Sequence, residues 1–155
     1  MSFLTVLLLA GLAVGLILWF RSRRGDGPEL TVAELPQAVA ALALSREESA
    51  FIVFRLGRHP DSGGPDLQFS VERGRLGLDW VLLDPANVAD EAKFRTFVLR
   101  RGHSIQERHE NGVRTLRIED GDLVQTGSGL LCEAYGVNVG TRLATVLEGF
   151  SLPPS

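Results

Sequence analysis

The sequence predicts an α+β protein: an N-terminal transmembrane helix, then one small domain of order α-β-β-β-α-β-β-α whose antiparallel sheet packs on helices. Three observations carry this reading. Residues Phe3 to Phe20 are eighteen consecutive uncharged positions that end against Arg21, Arg23 and Arg24. Apolar and polar side chains alternate with period two in residues 67–72, 76–82 and 113–119, the mark of strands with one wet face. Between and around these stretches lie apolar residues at helical spacing, bounded by capping residues and glycine stops.

As a helix the apolar run spans roughly 27 Å at about 1.5 Å per residue, close to the ~30 Å hydrocarbon core of a bilayer. No charged side chain precedes it and three arginines follow within four residues. The positive-inside rule then places the rest of the chain in the cytoplasm, as a single-pass protein of the cell (inner) membrane. Trp19 and Phe20 sit where interfacial aromatics belong. A cleaved signal peptide would show a basic stretch before the run and a small-residue cleavage site after it; both are missing. Gly11 and Gly15 form a G-x-x-x-G pair flanked by alanines, which allows close approach of two helices and a homodimer.

The expected organisation is an anchor with its basic flank at 1–24, a linker at 25–30, and a cytosolic domain at 31–155. Setting aside the three flanking arginines leaves 13 basic against 19 acidic side chains, a net charge of −6 for residues 26–155. An acidic domain without a Lys/Arg cluster excludes nucleic acid as a partner, because phosphate neutralisation supplies most non-specific affinity. The arginine flank reads as a topology signal that also meets anionic headgroups of the lipid bilayer. Cys132 is the only cysteine, so neither an intrachain disulfide nor a multi-cysteine zinc site is possible. Its apolar neighbours make it a buried small hydrophobe. The excess of arginine over the sole lysine, Lys93, fits a GC-rich bacterial coding sequence.

Thr31 and Glu34 form a capping box ahead of Val32, Leu35, Val39 and Leu42, predicting a first helix over 32–44. Phe51 to Leu56 is a β-branched and aromatic strand, and the Gly/Pro-rich segment 57–65 is a loop. Leu67, Phe69 and Val71 alternate along a second strand. After an Arg73-Gly74 turn, Leu76, Leu78, Trp80 and Leu82 alternate along a third. Asn87, Asp90 and Glu91 supply a cap and first-turn carboxylates for a second helix with Phe94, Phe97 and Val98 on its apolar face and Gly102 as its stop. Residues 103–109 and 113–119 flank Asn111-Gly112, a strong hairpin signal, with Leu116 and Ile118 facing inward. Leu123 to Tyr135 reads as a third helix closed by Gly136. In the tail, Thr141 to Phe150, the residues Leu143, Thr145 and Leu147 alternate as in a strand; a final strand is the preferred reading, with a helix as the alternative.

No nucleophile–base constellation is visible, and no catalytic residue, cofactor or metal is assigned. His103 and His109, roughly 20 Å apart by strand rise, are too distant to share a metal and read as exposed strand-end side chains; His59 sits in the loop. Asp120 and Asp122 lack the rest of a calcium-loop pattern and read as a turn and helix cap. Gly127-Ser128-Gly129 has no preceding strand or following lysine, so it reads as a close-packing segment. Asp79 and Asp84 bracket Trp80 as an acid pair would in sugar chemistry, but Asp79 falls on the strand face opposite Trp80.

The stretch LGLDWVLLDPANVADEAKF, followed by VRTLRIEDGDL and the closing LATVLEGF, resembles members of the YbjN-type group, and the element order is similar to the class I type III secretion chaperones. The likeness covers residues 31–150. It implies a non-enzymatic, chaperone-like domain that binds protein segments on a sheet or helix surface and often dimerises. The chain is therefore expected to be a membrane-tethered adaptor for a protein or peptide partner, with a structural subunit of a membrane or cell-envelope complex as the alternative and a small enzyme third. Confinement at a membrane would raise the effective concentration of a weak binder, and the edge strands beside loop 57–65 are the expected place for a peptide strand to add.

Overall fold

Seven strands form a single antiparallel sheet in a computed structural model that describes residues 27–57 and 64–154. Strand β1 is Leu30–Thr31, followed by a 3-10 turn at Val32–Glu34 and helix α1, Leu35–Ala43. Then come β2, Phe51–Arg55; β3, Asp66–Glu72; and β4, Arg75–Leu82. Helices α2, Pro85–Ala89, and α3, Glu91–Arg100, precede the hairpin of β5, Gln106–Glu110, and β6, Val113–Ile118. Helix α4, Leu123–Gly129, runs into a π-helical turn at Leu130–Ala134, and β7, Arg142–Glu148, closes the order. Across the sheet the strands lie β1-β7-β2-β3-β4-β6-β5.

Two features of the expected fold class are corrected. Among the described residues no helix is long and apolar enough to cross a membrane, so a single-pass transmembrane helix is not an element of the observed fold. Phe3, Gly11, Gly15, Trp19, Phe20, Arg21, Arg23 and Arg24, which carried that expectation, lie outside the described residues. The second correction concerns the element order, which does not close on the third helix: a strand follows it, the reading preferred for Thr141 to Phe150. Moreover β7 inserts between β1 and β2, with Val146 opposite Val53 and Leu143 opposite Leu30. Leu30, expected in the linker, therefore joins the sheet.

Local chemistry accounts for most boundaries. The backbone N–H and the hydroxyl of Thr31 both donate to Glu34 Oε2 at 2.8 Å, and Pro36 sits in the first turn of α1, where its missing N–H costs nothing. The two tight turns, Arg73-Gly74 and Asn111-Gly112, hold both residues at positive φ (51° and 72°; 51° and 78°), the left-handed pair that matches the twist of a two-residue hairpin. The second predicted helix is two helices. Asp84, not Asn87, caps α2 by accepting from the Ala86 N–H at 2.8 Å, and the chain bends at Asp90 before α3.

The described helices pack on one face of the sheet. Ile52, Phe54, Leu67, Phe69, Val71, Leu78, Trp80, Leu116 and Ile118 from the strands share a core with Leu35, Val39 and Leu42 of α1, Phe94 and Val98 of α3, and Leu123, Leu130 and Leu131 of the last helical segment. Trp80 stacks on Phe94 at 4.9 Å between ring centroids, worth about 0.5–1.5 kcal/mol beyond the area buried. Gly127 allows α4 to approach this core, since a Cβ there would lie 2.5 Å from Phe69 Cζ.

Candidate functional site

The opposite face of the sheet bears no helix among the described residues, yet it hides charge. Strand alternation turns Ser70, Asp79 and Arg117 away from the core, and the register sets Asp79 of β4 directly opposite Arg117 of β6. Arg117 is completely buried and Asp79 2% exposed. Arg117 Nη1 donates to both Asp79 oxygens at 2.9 Å and to Ser70 Oγ at 2.7 Å, while Ser70 Oγ donates to Asp79 Oδ2 at 2.5 Å. Nη2 donates to the Arg75 carbonyl at 3.0 Å and Nε to Glu119 Oε1 at 2.7 Å. The guanidinium is thus satisfied on every side, and it lies over Gly77, where a Cβ would stand 2.1 Å from Cζ.

Burial pushes the Asp79 carboxyl up, and the Arg117 charge with the Ser70 and Arg117 hydrogen bonds pulls it back only in part. Burial likewise works against the Arg117 charge, but Asp79 and Glu119 outweigh it, so the guanidinium is held more firmly protonated. Every polar atom of Ser70 and Asp79 that could act on a substrate is spent inside the cluster. The arrangement braces the sheet and fixes its β4–β6 register.

The rim of the sheet is different. Among the described residues strand β5 pairs only with β6 and ends the sheet. Gln106, Glu107, His109 and Glu110 are exposed, and Arg108 is half-buried. Arg108 is ion-paired with Glu72 and, at 3.3 Å, with Glu119. Glu107 accepts from Arg95 at 2.7 Å and from Arg114 at 2.8 Å, and Glu91 bridges the same two arginines. These charges keep the hairpin firm against α3. Its turn also sets which backbone groups are free. In a hairpin closed by two residues the flanking pair, here Glu110 and Val113, is hydrogen-bonded. Arg108 and Gln106 therefore also aim N–H and C=O at β6, whereas Glu107 and His109 aim theirs outward, to the open edge.

The edge expected beside loop 57–65 is closed. Strands β2 and β3, which flank that loop, each have neighbours on both sides, β7 with β3 and β2 with β4. Among the histidines, His109 is exposed as expected, His59 lies outside the described residues, and His103 contradicts the expectation. It is 9% exposed; Nδ1 lies 2.9 Å from the Asp120 carbonyl and Nε2 2.6 Å from Thr126 Oγ1. Buried polar groups need partners, and the Asp120-Gly121 turn brings both to one ring. The Ser104 N–H and His103 also hold the Asp120 carboxyl below its ordinary range. Asp122 caps α4 through the Gln125 N–H at 2.9 Å. Cys132 is half-buried against the core. Among the described residues no group of side chains is arranged to hold a metal ion.

Sequence reasoning missed Arg117 and the true role of Asn87. Period-two alternation already turns Arg117 away from Leu116 and Ile118, but its partner depends on which strands become neighbours. Compared with family models, with curated proteins and with solved structures, the chain matches none.

Proposed function

We propose that the domain is a polypeptide-binding module that takes an extended strand onto its β5 edge. The observation that carries this reading is that, among the described residues, Gln106–Glu110 pairs on one side only, leaving the outward N–H and C=O groups of Glu107 and His109 to a partner. Main-chain hydrogen bonds of this kind supply affinity, and alternate side chains supply selectivity. The ion pairs that brace the hairpin favour it as a template, because a rigid edge loses little entropy when a strand docks. The buried cluster behind it serves the same end by stiffening β4 and β6. The sequence resemblance, which implies binding of protein segments, agrees with this reading.

Hydrogen exchange of the full chain with and without a panel of extended peptides tests it. A peptide that binds should protect the amides of Glu107 and His109. Binding that leaves both unprotected, or protects only amides elsewhere, overturns strand addition at β5.

A further inference from the structure

We infer that the strand received at β5 is β5 of a second copy of this chain, paired antiparallel about a two-fold axis through Arg108. The inference rests on the strand-addition reading and names its partner. Three constraints select the partner and the register.

The first is geometric. Two copies of one edge strand that join their sheets side by side are related by an axis normal to the sheet, and paired residues must point to the same face. Side chains alternate with period two, so the paired numbers must have the same parity and the axis must pass through a residue. Within β5 the choices are Glu107, Arg108 and His109.

The second is the direction of the backbone. With Glu107 and His109 turned outward, an axis at Arg108 sets Glu107 opposite His109 of the other copy, twice. Both are hydrogen-bonded pairs, giving four inter-copy backbone bonds, and all five residues of β5 face a partner. An axis at His109 instead spends the second pair on Asn111, a turn residue at φ 51°.

The third is charge. An axis at Glu107 sets His109 opposite Ile105, which lies outside β5, so no imidazole meets a carboxylate; the two Glu107 side chains would meet at that axis, each already held by Arg95 and Arg114 of its own copy. An axis at Arg108 gives each exposed imidazole a carboxylate across the interface. The two Arg108 side chains meet at the axis, but each is already compensated by Glu72 and Glu119 of its own copy. Charged edges generally discourage pairing; here the pattern Glu107-Arg108-His109 is self-complementary in one register.

The test is sedimentation of the full chain over a concentration series, with directed cross-linking in a Cys132→Ser background. The inference expects twice the monomer mass. It also expects Arg108→Cys to form a disulfide dimer, because the residues on the axis form the closer, non-hydrogen-bonded pair. Gln106→Cys or Glu110→Cys alone should not cross-link, whereas the two mixed should. His109→Pro removes an outward N–H and spares the bonds to β6, so it should return the chain to monomer with the fold retained. A dimer that survives His109→Pro, or that fails to cross-link through Arg108→Cys, uses another surface and overturns the inference. A monomer that still binds extended peptides at β5 overturns self-pairing and leaves strand addition standing; a monomer that binds none removes both.

Discussion

Arg117 and Asp79 face each other across β4 and β6 with Nη1 2.9 Å from both carboxylate oxygens, and both are buried on the sheet face that carries no helix among the described residues. An ion pair in that position is weak evidence of net stability, since desolvation offsets much of the attraction. Its effect lies in what happens when one partner is lost. Asp79→Ala leaves a buried guanidinium short of its main counter-charge and should cost about 3–5 kcal/mol in urea unfolding. The double variant Asp79→Leu with Arg117→Met should cost clearly less than the sum of the single losses, because Glu119 keeps Arg75 and Arg108 as partners. Additive losses would show that the two residues do not act as a pair.

Gly77→Ala probes the same cluster by crowding it. The added methyl would fall 2.1 Å from Arg117 Cζ, and a guanidinium held by Asp79, Ser70, Glu119 and the Arg75 carbonyl cannot swing away without breaking those bonds. A loss of about 1–3 kcal/mol is expected from the overpacking. In an Arg117→Met background the same substitution should be close to neutral. An equal loss in both backgrounds would place the cost in the backbone at residue 77 instead.

Much of the fold is legible in local pattern. Alternation in β3 and β4, the capping box at Thr31 and Glu34, and the Asn111-Gly112 turn each contain their cause within a few residues. Parity alone separates Asp79 from Trp80. What stays hidden is set by neighbours distant in sequence. Asp79 and Arg117 are 38 residues apart, and two helices and a strand intervene before they become cross-strand partners. The place of β7 is hidden for the same reason, since alternation shows that a segment can be a strand and not which strands it will join. His103 is the sharpest failure: its alternation with His109 presumes a strand that starts only at Gln106.

Asn87 closes a gap in the sheet and should be intolerant of change. The β3–β4 register begins at Gln68 and Asp79, and Asn87 supplies the missing partner for Asp66. Its Oδ1 accepts from the Asp66 N–H at 2.8 Å, and its Nδ2 donates to the Asp66 carbonyl at 2.9 Å. Its own carbonyl accepts from Trp80 Nε1 at 2.9 Å. Asn87→Ala should cost about 1–3 kcal/mol by orphaning both groups. Asn87→Asp should cost more, because a carboxylate would face the Asp66 carbonyl with no proton to donate. Thermal unfolding of the two variants ranks them, and an Asp variant as stable as wild type would contradict this account.

Asp66 itself gives the domain a pH dependence of definite sign. Burial pushes its carboxyl up to about 6 from 3.8, with Asp84 adding to the rise and Arg55 opposing it. A folded state that holds this proton more tightly than the unfolded chain loses stability as pH rises through the window from about 4 to about 6. At about 1.4 kcal/mol per unit the full effect is up to about 3 kcal/mol. The carboxyls of Glu91, Glu107, Glu119 and Asp120 are held below their ordinary range and act in the opposite direction, losing stability as pH falls, so the whole-protein profile mixes both. Asp66→Asn isolates the one contribution. Relative to wild type, the variant should gain stability between about pH 4 and about pH 7 in matched urea titrations; a difference that stays flat across that range would place the Asp66 carboxylate in contact with water.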